Sequence, residues 1–422
     1  MKYLKIIIAT AALLIGELAF AQRDPALYIK QDIDRCAGFY HHYEIPVADR
    51  SIKTRPEGFE PFYISHYGRH GCRWHHSEMK YKGTLGFFQM GADQNLLTKK
   101  GKRFLEDMKV VAADAEGQYG DLTPRGARTH KGIAARMYKN YPEVFQPGAK
   151  IDTKSTTVVR CVLSMAAFDE SLKEQEPELE ITRTSSERNM VFMSHPNGHS
   201  FEKEINRITH ELKDVYIPSE RWMKSMFKDG GKFLEGKIND PESLMYDCFE
   251  MAAMMQNCDY LNKDLYYIFN KEEILGLWKY MNAYGYMYMG PAPKFADERF
   301  KAAGYLLKDI VDRADDVIEG RSDVSANLRF GHDSNILPLL GLLQIEGASE
   351  RVPVEECWQH WNLSDVSPMA ANIQFIFFKN KAGEIKVRVL RNEQDAKMPV
   401  KGFPFYDWKD LREYLTGLYD IK

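Results

Sequence analysis

Apolar and polar positions change rhythm along the chain. Phe62-Tyr-Ile-Ser-His66 reads as a buried strand and breaks off abruptly into Tyr67-Gly68-Arg69-His70-Gly71-Cys72-Arg73. Residues 74–92 read as a loop or short helix. Phe104, Leu105, Met108 and Val111 then recur at helical spacing. Leu122-Thr123-Pro124-Arg125-Gly126 opens a further helix, with Thr123 as N-cap and Pro124 in the first turn, running through Ile133, Met137 and Tyr138. Thr156-Thr-Val-Val-Arg160-Cys-Val162 reads as a second, β-branched strand interrupted by an arginine, and Ser164 as the cap of a helix over Met165–Leu172.

Past about residue 180 the strand-like runs give way to helical patterns over Phe201–Leu212, Glu242–Met255, Glu272–Met281 and Ala296–Ile318. Methionines and aromatics crowd this stretch, and at helical spacing they read as core. Mixed texture returns with Ala326-Asn-Leu-Arg-Phe330-Gly331-His332-Asp333, followed by the apolar run Ile336–Leu343. Gln374–Phe378 and Glu384–Leu390 flank Lys381-Ala-Gly383 as a hairpin, and Trp408–Tyr419 closes the chain as an amphipathic helix. The expected fold is α/β: a three-layer sandwich with a central, mostly parallel sheet over residues 22–180 and 321–422, and a mainly helical domain inserted over residues 181–320.

Residues 1–21 are set apart. Lys2 and Lys5 precede the apolar run Ile6–Leu14, and Ala19-Phe20-Ala21 ends it, the pattern of a secretory signal cleaved before Gln22. Export to the periplasm or medium is the expectation, with no stable membrane insertion, since no later segment is long and apolar enough to span a bilayer. The 422 residues are 44% hydrophobic with a net charge of −3, which argues against a nucleic-acid partner. The six cysteines show no C-x-x-C spacing; Cys248 with Cys258 is the pairing that sequence suggests, and Cys72 and Cys161, each beside a proposed site residue, are expected as neighbours in space. His41-His42 read as solvated, and His195-Pro-Asn-Gly-His199 as a loop without metal.

The charges at the ends of the apolar runs change the picture. Charged groups at the end of a buried strand are costly unless an anion compensates them. Ends of parallel strands converge on one crevice. Three junctions therefore offer Arg69, His70 and Arg73, then Arg160, then His332 with Asp333. Guanidinium forks match phosphate oxygens, a neutral imidazole can attack phosphorus, and a carboxylic acid can protonate the departing alkoxide. Such an arrangement needs no metal and no cofactor, and its partner is a small phosphate ester. A lone R-H-G would more often be structural; three ordered junctions outweigh that reading.

Arg69-His70-Gly71-Cys72-Arg73 resembles the R-H-G-x-R signature of the histidine acid phosphatases, the group that includes histidine-type phytases. His332-Asp333 resembles the second motif of that family, Arg160 its intermediate arginine, and Leu122-Thr123-Pro124-Arg125-Gly126 its L-T-x-x-G helix start. The resemblance implies a phosphohistidine mechanism: His70 as nucleophile, Asp333 as acid, and Arg69, Arg73, Arg160 and His332 as phosphate ligands. It also implies an α/β sandwich with a helical insertion, and a phosphomonoesterase acting on inositol polyphosphates. The chain departs from the family at Trp74-His75-His76, where a proline usually stands two residues after the second arginine. It departs again at His332-Asp333-Ser334, where the inositol-polyphosphate branch often carries H-A-E. The alternatives are a phosphoglycerate mutase-like phosphotransferase and a non-catalytic phosphate-binding module.

Overall fold

The computed structural model describes residues 28–46 (30 excepted), 54–194 and 200–419. The segments read as a signal, 1–21, and as a histidine-bearing loop, 195–199, lie outside them. The strands are β1 (Phe59–Arg69), β2 (Lys150–Ser155), β3 (Glu180–Ser185), β4 (Val324–Gly331), β5 (Asn372–Asn380), β6 (Ile385–Arg391), β7 (Gln394–Asp395) and β8 (Phe405–Asp407). The principal helices are α1 (Glu78–Asp93), α2 (Lys99–Ala115), α3 (Pro124–Asn140), α4 (Val159–Gln175), α5 (Glu187–Met193), α6 (Glu202–Tyr216), α7 (Ser219–Met226), α8 (Pro241–Met254), α9 (Lys271–Tyr288), α10 (Ala296–Ile318), α11 (Asp333–Leu342) and α12 (Trp408–Tyr419).

All eight strands form one mixed sheet in the order β3-β2-β4-β1-β5-β6-β7, with β8 beside β6. The first four run parallel, while β5 and then β6 extend the sheet antiparallel. Alternation along β1 sorts its side chains between two layers, as a pleated strand must. Ile64 joins Ile133, Met137, Phe168 and Leu172 of α3 and α4 on one face. Tyr63 and Tyr67 join the opposite cluster, which includes Leu307 and Ile310 of α10, Leu340 of α11 and Leu411 of α12. The sandwich is thus three layers, as the pattern predicts.

Three boundaries differ from the sequence expectation. The strand read over Thr156–Val162 is not one: β2 ends at Ser155 and α4 begins at Val159. Cys161, Ser164, Met165 and Phe168 are buried at helical spacing while Val159 and Leu163 are exposed, so burial overrides β-branched propensity. The strand that does exist, Lys150-Ile-Asp-Thr-Lys-Ser155, buries Ile151, Thr153 and Ser155, a face too polar to register as an apolar run. The stretch over residues 181–320 opens within β3, the sheet edge, and its last helix, α10, returns to the sheet, where Asp309 pairs with Arg329 of β4 at 2.6 Å. Conversely, α1 and α2 pack with the inserted helices: the Phe88 ring meets Phe104 edge to face at 4.8 Å and Phe227 at a tilt at 4.9 Å. All six cysteines are buried and free, so the suggested Cys248–Cys258 pair does not form.

Beneath the end of β1, His66 and His130 are buried among Phe168 and Phe330, with ring separations of 5.3–6.5 Å. His130 therefore packs, and does not open onto the crevice. Burial pushes both imidazoles down to about 3. Unfolding restores the ordinary value near 6.5, so between roughly pH 6.5 and 3 the unfolded chain binds more protons and stability falls as pH falls. The unfolding free energy from urea titrations should drop between pH 7 and pH 4.5, by up to about 1.4 kcal/mol per pH unit for each imidazole. The drop should be shallower in His130→Phe; an identical slope in that variant would remove His130 from the effect.

Candidate active site

β1 carries Arg69 to the carboxyl edge of the sheet, where backbone bonds hold the next residue from two sides. Arg69 N–H donates to Ala371 O at 2.7 Å, His70 N–H to Gly331 O at 2.8 Å, and Ala370 N–H to His70 O at 2.9 Å. His70 Nδ1 faces the Gly71 carbonyl at 3.0 Å. A carbonyl only accepts, so the proton belongs on Nδ1 and Nε2 keeps its lone pair. Gly71 and Gly126 meet backbone to backbone: a Cβ on Gly71 would lie 2.7 Å from Gly126, and one on Gly126 would lie 2.4 Å from Cys72 O. The loop after β1 therefore rests on the first turn of α3, whose N-cap Thr123 accepts from Gly126 N–H.

The cations close around His70. Arg69 is fully buried and donates to Ser367 O at 2.6 Å and Phe39 O at 2.9 Å, while its Nη2 pairs with Asp333 Oδ2 at 2.7 Å. Arg73 lies over the Tyr40 ring, 5.6 Å from its centre, and donates to Trp74 O at 2.8 Å. Arg160 stands in the first turn of α4, not at a strand end, and its Nη1 lies 3.7 Å from where a Cβ on Gly120 would be. His332 precedes α11; its backbone N–H donates to Tyr67 Oη at 3.0 Å, and its Nε2 is 3.2 Å from Thr156 Oγ1. The rings of His70 and His332 are 5.7 Å apart, edge to face. Asp333 opens α11, with Ser334 N–H donating to its Oδ1 at 2.9 Å. All six residues expected from sequence are thus brought into one site.

Electrostatics follow from this crowding. Burial, then Arg160, Arg69, Arg73 and His332, hold His70 well below the ordinary histidine value, so the imidazole stays neutral. Burial and Arg160 push His332 down to about 4 against the pull of Asp333. Burial alone would raise Asp333, but Arg69, His332 and Arg73 outweigh it and hold the carboxyl below the usual range. One carboxylate therefore faces three guanidinium groups, and the surplus positive charge is what a phosphate dianion would neutralise.

Several participants escape a reading for charged motifs. Ser164 is no helix cap: inside α4 its Oγ donates to Arg160 O at 2.8 Å and accepts from Gly71 N–H at 3.1 Å, joining the two arginine-bearing segments. Phe39 and Ser367 act through backbone carbonyls, which no side-chain pattern advertises. Tyr40 ends a short helical stretch, Ile33–Tyr40, that carries no charged motif of the kind sought; the aromatic at its end is the only available signal. The divergent loop is packed rather than open: Trp74 and His75 are buried, Trp74 N–H donates to Asp121 O at 3.0 Å, and Gly120 N–H donates to His75 O at 3.2 Å. Among the described residues, no group of three or more His, Cys, Asp or Glu converges as a set of metal ligands.

Residues 68–392 match the family model of the histidine phosphatase superfamily, branch 2. The chain belongs to that family. It is accordingly a phosphoric monoester hydrolase, and the histidine phosphatase fold extends to solved structures of low identity. The Bifidobacterium longum multiple inositol polyphosphate phosphatase, in complex with inositol hexasulfate, is similar over 90% of this chain and 97% of that one, with TM-score 0.74 and 17% identity. A phytase from D. castellii is similar over 92% and 86%, with TM-score 0.71 and 15% identity. The Citrobacter braakii phytase is similar over 85% and 98%, with TM-score 0.54 and 15% identity. Among curated proteins, no relative matches this histidine phosphatase. No helix of the described residues is long and apolar enough to cross a membrane.

The contact between Gly71 and Gly126 yields a direct test. Gly126→Ala should destabilise the protein by about 1–3 kcal/mol, because the added methyl meets backbone that cannot rotate away. It should also weaken binding of inorganic phosphate, read by calorimetry, since the Arg69–Arg73 loop must lift. A variant with wild-type melting temperature and phosphate affinity would show that the contact constrains nothing.

Proposed function

We propose that this enzyme hydrolyses phosphate monoesters through a phosphohistidine at His70, with inositol polyphosphates as its substrate class. The observation that carries the reading is the orientation of His70: Nδ1 is occupied by Gly71 O at 3.0 Å, which leaves an unprotonated Nε2 among the guanidinium groups. In the first step Nε2 attacks phosphorus and the P–O bond to the alcohol breaks. Asp333 gives its proton to the leaving oxygen. In the second step the Asp333 carboxylate takes a proton from water as that water attacks phosphorus and the N–P bond breaks. Inorganic phosphate leaves, and both side chains return to their starting states. Arg69, Arg73, Arg160 and His332 hold the non-bridging oxygens throughout, where charge is spread in the transition state.

The substrate class is supported by the overall likeness to an inositol polyphosphate phosphatase and a phytase. The density of cations in the site favours a multiply charged ester. The acid stands directly after His332, so this chain would use Asp333 where that branch often has H-A-E. Residues 1–21, with Lys2, Lys5 and Ala19-Phe20-Ala21, support export before the enzyme works.

His70→Ala should abolish phosphate release from an aryl phosphate. Brief incubation of wild type with labelled substrate should leave a protein-bound phosphoryl group labile to acid and stable to alkali. Turnover in His70→Ala, or label stable to acid, would sink the nucleophile assignment. Among inositol hexakisphosphate, sugar phosphates and nucleotides, the first should show the highest kcat/KM.

Asp333→Asn should slow alkyl phosphates by about 10²–10⁴-fold, the usual worth of a general acid, and aryl phosphates far less. Because Asp333 is held low, its protonated fraction grows as pH falls, and alkyl phosphate turnover should rise toward acid pH in wild type. His70, held low by burial, remains neutral there. An equally steep acid limb in Asp333→Asn would assign the proton to another group.

A further inference from the structure

One cluster of titratable side chains outside the six site residues reaches the phosphate clamp. The Tyr40 ring that carries Arg73 is stacked with His75 at 5.8 Å, and His75 with the exposed His76 at 4.7 Å. Tyr40 Oη donates to Glu250 Oε1 at 3.1 Å, and Glu250 Oε2 pairs with Lys80 and lies 3.9 Å from His75 Nε2. Lys80 also pairs with Asp247. His75 Nδ1 accepts from Ser77 N–H at 3.0 Å, which leaves the proton on Nε2, the nitrogen facing Glu250. One buried carboxylate of α8 thus receives Tyr40 from one part of the chain and His75 and Lys80 from another.

Packing alone does not call for this charge. A buried ion pair is often matched in stability by apolar side chains of the same volume, so its presence invites a reason of specificity. That reason lies one contact away. Among the described residues Arg73 makes no ion pair with a carboxylate, and its guanidinium is placed by the Trp74 carbonyl and the Tyr40 ring. Tyr40 in turn is fixed at its hydroxyl by Glu250. The two histidines of the divergent Trp74-His75-His76 loop complete the stack, so that departure from the family motif is built into the same arrangement.

We propose that Glu250, supplied by the inserted helices, is a positioning residue for the phosphate clamp, holding Tyr40 as the platform for Arg73. The proposal rests on Arg73 being a phosphate ligand, as read above. Glu250 itself does not touch the phosphoryl group. Its influence should therefore be felt only while Arg73 is present.

The test is calorimetric binding of inorganic phosphate to the whole protein, with melting temperature followed alongside. Glu250→Gln and Tyr40→Phe should each weaken phosphate binding by about five- to tenfold, within the worth of a hydrogen bond to a charged group. Tyr40→Phe keeps the ring and serves if the glutamine variant fails to fold. In an Arg73→Ala background, adding either change should cause no further loss. Unchanged phosphate affinity in both single variants, whatever their melting temperature, would overturn the proposal. So would an equal loss with and without Arg73. Binding is read without turnover, so failure of hydrolysis in wild type would count against the proposed function and leave this test readable. Absence of phosphate binding in wild type would overturn both.

Discussion

Everything at the site depends on a guanidinium group placed where water cannot reach it. Arg69 ends a strand buried on both faces, and a buried cation without partners would cost several kcal/mol. The molecule answers with two backbone carbonyls and one carboxylate, Phe39 O, Ser367 O and Asp333. The carbonyls stabilise the charge without neutralising it, and the single carboxylate is shared with a crowd of other cations. The result is a pocket stable as protein yet carrying surplus positive charge, the condition that the proposed phosphate ligand would neutralise. Burial first, and the same surplus after it, keep His70 neutral, the state that the proposed nucleophilic role requires.

The surrounding architecture serves to hold that surplus charge in place. Parallel neighbours β1 and β4 bring His70 and His332 to one edge, and the antiparallel partner β5 is preceded by the residues whose backbone pins Arg69 and His70. Below, an apolar layer with two buried imidazoles excludes water from the strand end. Above, α1, α2 and the inserted helices form one packed layer, with α8 reaching back to the Tyr40 platform. The insertion is therefore mechanically continuous with the clamp, and more than a cover placed over it.

The sequence made the residues that converge on the site more legible than the boundaries. Arg69, His70, Arg73, His332 and Asp333 stood out because charge directly following an apolar run is energetically odd and hence informative. Arg160 was recognised, but its setting was misread: Thr156-Thr-Val-Val has strand propensity, while the buried positions that decide the matter, Cys161, Ser164, Met165 and Phe168, follow a helical period. β2 was missed for the opposite reason, since a strand between two others can bury threonine and serine as readily as valine. The extent of the insertion could not be read, because the long amphipathic α10 looks the same whether it packs on a sheet or on other helices. Contributions from Phe39 and Ser367 were invisible in principle, as every residue owns a carbonyl.

The partners of Arg69 also set a timetable. They lie at residues 39, 333 and 367, so the charge is satisfied only when an early segment of the chain meets much later ones. A growing polypeptide carries the R-H-G loop early and cannot bury it until nearly all of the protein exists. Contacts this distant in sequence assemble slowly, because closing long loops costs entropy before any contact is gained. The edge that gathers Arg69, His70 and Asp333 is thus among the last parts of the molecule to form.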